Sequence, residues 1–281
     1  MQDFFYGWYL KCQSETQTLA VIPAIHQMGE KHTCSIQIIT EKDTGTVTFP
    51  ANTFRLTGKN MCIEDNQFCK RGIRLSINTP ELTLQGKLIF GSLFPLKYDI
   101  MGPFSFVPFM ECRHRVWSMR HSVCGRITLN GQRYLFDNDL GYWEGDCGHS
   151  FPKRYAWTQC FLPGGSLMLS VADIPMAGFH FTGIIGVILW QGQEYRMASY
   201  LGARVIQIRN RMIRIIQGSM ELEVRLFEET ARPLMAPVQG AMVRTIHENA
   251  SCRAFYQFRK KKSILFSLET DRASFEYEYP F

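Results

Sequence analysis

Long apolar runs are missing from the 281-residue chain. The longest, GIIGVILW at Gly183–Trp190, falls far short of the about 20 residues that cross a bilayer, so no stable membrane insertion is expected. Also missing is any C-x-x-C pair. The nine cysteines stand at irregular spacings that signal neither a zinc ribbon nor a disulfide framework, and reduced thiols are expected. No Gly-rich phosphate loop occurs, since FLPGGSLML has adjacent glycines without a following lysine; no cofactor is expected. Without a G-x-S-x-G elbow, a nucleophilic hydrolase is a distant reading. His26, His114, His121 and His149 lack the paired spacing with a nearby acid that marks a metal site, so no metal is expected either. The opening MQDFFYGWYLK has no basic start leading into an apolar stretch of a secretory signal, and a cytoplasmic location is expected.

What is present is a globular composition, 46% hydrophobic and 20% charged. That length suits two β domains or one large one. The balance of 31 basic against 25 acidic residues is a modest +6. In RVIQIRNRMIRIIQ the arginines mostly alternate with Val and Ile, which reads as the wet face of a strand pair, and with RKKK at 259–262 as the other basic cluster, nucleic acid is not an expected partner.

Period-2 alternation runs almost throughout. Leu82, Leu84 and Leu88 share one face of ELTLQGKLIF; Leu222, Val224 and Leu226 do so in ELEVRLFE. In SFEYEYPF, Phe275, Tyr277 and Tyr279 alternate with Ser274, Glu276 and Glu278. Asn130-Gly131 suits a type I′ hairpin turn, and Gln191-Gly192 is a weaker second case. The pattern predicts an all-β protein made of two antiparallel barrel or sandwich halves with few helices. The Pro-rich, non-alternating stretch PLKYDIMGPFSFVPFMECRH suggests the join, giving domains over 1–117 and 118–281.

The densest chemistry lies in GYWEGDCGHSFPKRYAWTQC at 141–160. Glu144 and Asp146 are two apart and face one side of a strand, with Trp143 on the other. Tyr155, Trp157 and Gln159 alternate likewise on a following strand. Two adjacent carboxyls repel each other's ionisation, and burial among aromatics disfavours the charged form, so this pair is a candidate general acid. The plainer alternative pairs the carboxylates with Arg154, Lys153 or backbone amides to fix a turn. His114, three residues from Glu111, could orient a carboxylate, shuttle a proton or simply pack at a join.

FFYGWYLK at 4–11, MGPFSFVPFMECRHRVWSM at 101–119, the 141–160 stretch and RTIHENASC at 244–252 together resemble, in order and separation, the tocopherol cyclase-like family. The resemblance implies a two-half, lipocalin-like architecture akin to carotenoid hydratases, holding a hydrophobic small molecule, isoprenoid or polyene in class. This chain has Tyr6 where the family commonly has Glu, and Cys147 where it commonly has Trp. Asp146 and Glu144 are then the catalytic candidates. Trp8, Tyr9, His114, Trp117, Tyr142, Trp157 and Gln159 are the candidate lining, with Tyr142, Trp157 and Trp8 able to stabilise a carbocation through their π faces. The implied activity is a cofactor-independent, proton-initiated cyclisation, hydration or isomerisation; the alternative is a non-catalytic carrier or sensor of the same ligand. No oligomeric state follows from the sequence.

Overall fold

The computed structural model describes residues 3–108, 110–176, 179–227 and 231–280. Met1, Gln2, Phe109, Glu228 and Phe281, which fall in stretches quoted above, lie outside these. The protein is all-β, with short 3-10 turns at Ala51–Thr53, Gly102–Phe106 and Ser199–Leu201 as the helical elements among the described residues.

Eleven strands form the first sheet: β1 (Phe4–Gln13), β2 (Thr18–Met28), β3 (Lys31–Thr40), β4 (Thr44–Pro50), β5 (Phe54–Thr57), β6 (Asn60–Ile63), β7 (Asn66–Cys69), β8 (Gly72–Asn78), β9 (Thr83–Phe90), β10 (Cys112–Leu129) and β11 (Gln132–Gly148). Their order is β4-β3-β2-β1-β11-β10-β9-β8-β7-β6-β5. The second sheet comprises β12 (Tyr155–Leu162), β13 (Gly165–Met176), β14 (Phe179–Trp190), β15 (Gln193–Ala198), β16 (Arg204–Arg209), β17 (Met212–Gln217), β18 (Met220–Leu226), β19 (Arg232–Val238), β20 (Ala241–Lys260) and β21 (Ser263–Tyr277). It runs β15-β14-β13-β12-β21-β20-β18-β17-β16, with β19 paired to β20. Both sheets are antiparallel and neither closes, so of the barrel and sandwich forms the open-sheet form is the one found.

The turn chemistry matches the sequence. Asn130 (φ 48°) and Gly131 (φ 81°) join β10 to β11, and Gln191 (φ 49°) and Gly192 (φ 74°) join β14 to β15, each with the two positive φ values of a type I′ hairpin. Leu84 and Leu88 are buried on β9, as are Leu222, Val224 and Leu226 on β18. The arginine-rich stretch forms the β16–β17 hairpin, where Arg214 pairs with Glu221 at 2.7 Å.

The chain forms two compact units that interleave in sequence. The first holds residues 1–97, 112–151 and 235–244; the second holds 98–111, 152–234 and 245–281. Position 117 lies inside the single strand β10. In the first unit the core is one apolar cluster that includes Trp8, Leu10, Ile36, Ile38, Phe68, Leu84, Trp117 and Trp143. In the second it includes Leu167, Leu169, Ile188, Val224, Tyr256, Phe258 and Phe275.

Candidate functional site: a histidine between two carboxylates

Three adjacent strands of the first unit, β1, β11 and β10, build the site. Register sets Tyr9 opposite Glu144 and Gly7 opposite Asp146; on the other side it sets His114 opposite Asp146 and Val116 opposite Glu144. Directly opposed residues share a face, so Tyr9, Lys11, Tyr142, Glu144, Asp146 and His114 all project to one side. Lys11, opposite Tyr142, is fully buried there.

The other side of the same strands is the solid core. Trp8 packs against Trp143 and Trp117 with ring centroids 4.9 and 5.6 Å apart, and Trp117 stacks on Trp143 at 5.3 Å. A register shift between Val116 and Ser118 marks an irregularity at Trp117. The glycine between the two acids has a reason here: a Cβ on Gly145 would stand 2.7 Å from Trp117, 2.9 Å from Trp8 and 2.4 Å from the Gly7 carbonyl oxygen. Tyr6 and Cys147, the two departures from the family pattern, face each other in register, on the tryptophan side. Tyr6 accepts a hydrogen bond from the Trp8 indole at 2.9 Å.

On the polar side His114 stands between the two acids. Its Nδ1 lies 2.9 Å from Asp146 Oδ1 in hydrogen-bond geometry. Its Nε2 lies 2.9 Å from Glu144 Oε2, at ion-pair distance but poorly aligned for a hydrogen bond. The Tyr142 hydroxyl donates to the same Glu144 oxygen, and the Cys112 thiol donates to Asp146 Oδ1 at 3.4 Å. Burial alone pulls the His114 imidazole down, but the charges of Glu144 and then Asp146 outweigh it and hold His114 well above the ordinary histidine value. Burial, reinforced by the Glu144 charge, likewise raises the Tyr142 hydroxyl well above the usual tyrosine range. The cluster is graded in access: the side chains of Glu144 and His114 are 5% and 9% exposed, that of Asp146 23%.

Of the expected lining, Tyr9, His114 and Tyr142 therefore join Glu144 and Asp146, whereas Trp8 and Trp117 sit in the core on the opposite face. The partners of His114 are Glu144 and Asp146, which no local spacing announces. Arg154 pairs with Asp173 at 3.1 Å. Trp157 and Gln159 are buried on β12 of the second unit, on the face turned away from that unit's core residues Ala156 and Cys160. On that same face of the second unit the Tyr155 hydroxyl donates to Glu276, itself opposite Trp157 and Glu248 in register, and both glutamates are buried. Sequence reasoning missed this second tyrosine–carboxylate pair because alternation in SFEYEYPF sets Glu276 on the face opposite Phe275 without saying what covers that face. Both faces of β21 are buried at that point: Phe275 is 0% and Glu276 9% exposed. Among the described residues no group of three His, Cys, Asp or Glu side chains is arranged to hold a metal ion.

Residues 79–178 match the model of the family described as tocopherol cyclase-like, the family that the four motifs resemble. A search of curated proteins gives no match. Among solved structures, kievitone hydratase from Nectria haematococca shares 10% identity, with 98% of this chain and 89% of that chain covered and a TM-score of 0.58. CghA in complex with Sch210972 shares 8% identity over 98% and 88%, with a TM-score of 0.61. A putative AttH from Nitrosomonas europaea shares 9% over 100% and 93%, with a TM-score of 0.56. At these identities the likeness is one of fold.

Proposed function

From the tocopherol cyclase-like match of residues 79–178 and the cluster it includes, we propose that the protein binds an apolar unsaturated small molecule and initiates its hydration, cyclisation or isomerisation by protonation. The observation that carries this reading is His114 set between Glu144 and Asp146, with Tyr142 behind Glu144. An imidazole held protonated by two carboxylates is a stored proton at neutral pH. Asp146 is its more exposed neighbour and the delivering group; Glu144 and Tyr142 hold the reserve behind it.

In the reaction the π electrons of an alkene take the proton, forming a C–H bond and a carbocation at the adjacent carbon. Water then adds and returns one proton to the cluster, or an internal alkene attacks and a neighbouring C–H is lost to it. Either route balances without a redox partner. Tyr9 and Tyr142 are aromatic groups on the cluster's own face, each beside Glu144 in sequence or register, and their π electrons favour the developing cation. The family and kievitone hydratase, by its name a hydratase, support this class of chemistry.

The test combines ligand recovery with isotope incorporation. Organic extraction of the purified protein and mass spectrometry identify the bound molecule. Incubation of that molecule with enzyme in deuterium oxide is expected to place deuterium on carbon, and Asp146→Asn to suppress this while still binding it. Recovery of an unaltered, undeuterated ligand from wild-type protein would establish the carrier reading instead.

A further inference from the structure

A second feature of the first unit lies on β5–β9, which the chemistry above does not use, and on the end of β10 that pairs with β9, away from His114. The strands β5, β6, β7, β8, β9 and β10 contain no aspartate or glutamate. Their inward side chains, among them Phe68, Ile73, Leu75, Leu88 and Ile127, belong to the core. Their outward side chains align in register: Arg55 opposite Cys62, Cys62 opposite Gln67, Gln67 opposite Arg74, Arg74 opposite Lys87 and Lys87 opposite Arg126. Arg55, Arg74, Lys87 and Arg126 are exposed, and none of them has a carboxylate at ion-pair distance among the described residues. Elsewhere the chain does neutralise its sheet arginines, as at Arg214 with Glu221 and Arg253 with Glu269.

Like charges directly opposed across strands work against folding. Arg74, Lys87 and Arg126 form three such neighbours in succession, and Arg74 and Lys87 join Arg71 in lining a groove of about 800 Å³ over β7, β8 and β9, which Gln67, Ser76 and Gln85 also line. An anionic partner removes that repulsion. The outward rows carry no aromatic side chain on which a base could stack, which disfavours single-stranded nucleic acid. Two exposed aliphatics accompany them: Ile89, 53% exposed and two residues along β9 from Lys87, and, on the adjoining β11, Leu135, 58% exposed and opposite Arg126. Cations interleaved with aliphatics match a surface of lipid phosphates over acyl chains.

We infer that the outward face of β7–β10, with Leu135 of the adjoining β11, docks the protein peripherally on an anionic phospholipid surface, with Arg74, Lys87 and Arg126 on head-group phosphates and Ile89 and Leu135 at the acyl boundary.

Co-sedimentation of the full chain with phosphatidylcholine vesicles, with and without phosphatidylserine, tests this. Binding is expected to need phosphatidylserine and to fall with salt. The triple variant Arg74→Gln, Lys87→Gln, Arg126→Gln should partition roughly a hundredfold less, at about fivefold per charge. Its melting temperature should equal or exceed that of wild type, since repulsion is relieved, which separates lost docking from lost folding. Ile89→Ser with Leu135→Ser should weaken vesicle binding while leaving its salt dependence in place. Equal binding to neutral and anionic vesicles, wild-type binding by the triple variant, or binding of oligouridylate in place of vesicles would each overturn the inference.

Discussion

Replacing His114 with glutamine removes the cation between Glu144 and Asp146 and leaves one neutral donor in its place. Taking one partner from a buried ion pair costs about 3–5 kcal/mol, and because the amide still donates, about 3 kcal/mol is expected near neutral pH. The pH dependence is the sharper signature. In the folded chain His114 titrates well above the ordinary histidine value, while unfolded it titrates near about 6.5. Below about 6.5 both states hold the proton and the stabilisation is fully present. Above it only the folded state does, so stability falls by about 1.4 kcal/mol per pH unit until the folded value is passed. The glutamine variant loses that slope. Urea unfolding followed by the near-UV circular dichroism of Trp8, Trp117 and Trp143, all in the first unit, reads both quantities. Parallel stability curves for the two proteins on the alkaline side would refute the idea that His114 is held protonated by its carboxylates.

On the acid side the sign reverses. Burial pushes His26 and His121 down to about 4, so the unfolded chain binds protons that the folded chain refuses. Stability present above about 6.5 is lost as pH falls towards 4, by up to about 3 kcal/mol for each, and His26→Gln with His121→Gln should flatten that limb in the same unfolding assay. Tyr142→Phe takes the hydroxyl from buried Glu144 and is expected to cost about 1–3 kcal/mol in urea unfolding. Gly145→Ala drives a methyl against Trp8, Trp117 and the Gly7 carbonyl, with about 1–3 kcal/mol lost and an altered tryptophan dichroism; an unchanged spectrum and melting point would contradict the packing described. Gly72→Ala, at φ 139° and with its Cβ 1.9 Å from the Leu88 carbonyl oxygen, should be more damaging still, checked by yield and thermal melting.

Alternation made the strands and their hairpins legible, because side chains two apart share a face and Asn-Gly supplies two positive φ values whatever surrounds it. It also placed Glu144 with Asp146 and set Trp143 apart. The same rule separates Trp8 from Tyr9, which are neighbours in sequence and so cannot share a side; only Tyr9 meets the acids. Alternation does not say which side is the solid core. On most of β1, throughout β12, and over 141–145 of β11 and 273–276 of β21 both sides are buried, so the contrast of apolar against polar that normally marks inside from outside is weakened there.

The amino-acid order alone thus determined an all-β chain, its main turns and a pair of acids on one strand face, since these depend on residues within a few positions of one another. Tertiary structure decided that the pair is bridged by His114, thirty residues away on the neighbouring strand, and that Trp8 closes a core. It also decided that Glu276 is buried against Tyr155 and that Arg74, Lys87 and Arg126 line up. Each of these depends on strand register. Register is a property of the whole sheet, fixed by which hydrophobic faces can be buried together, and no single segment carries it.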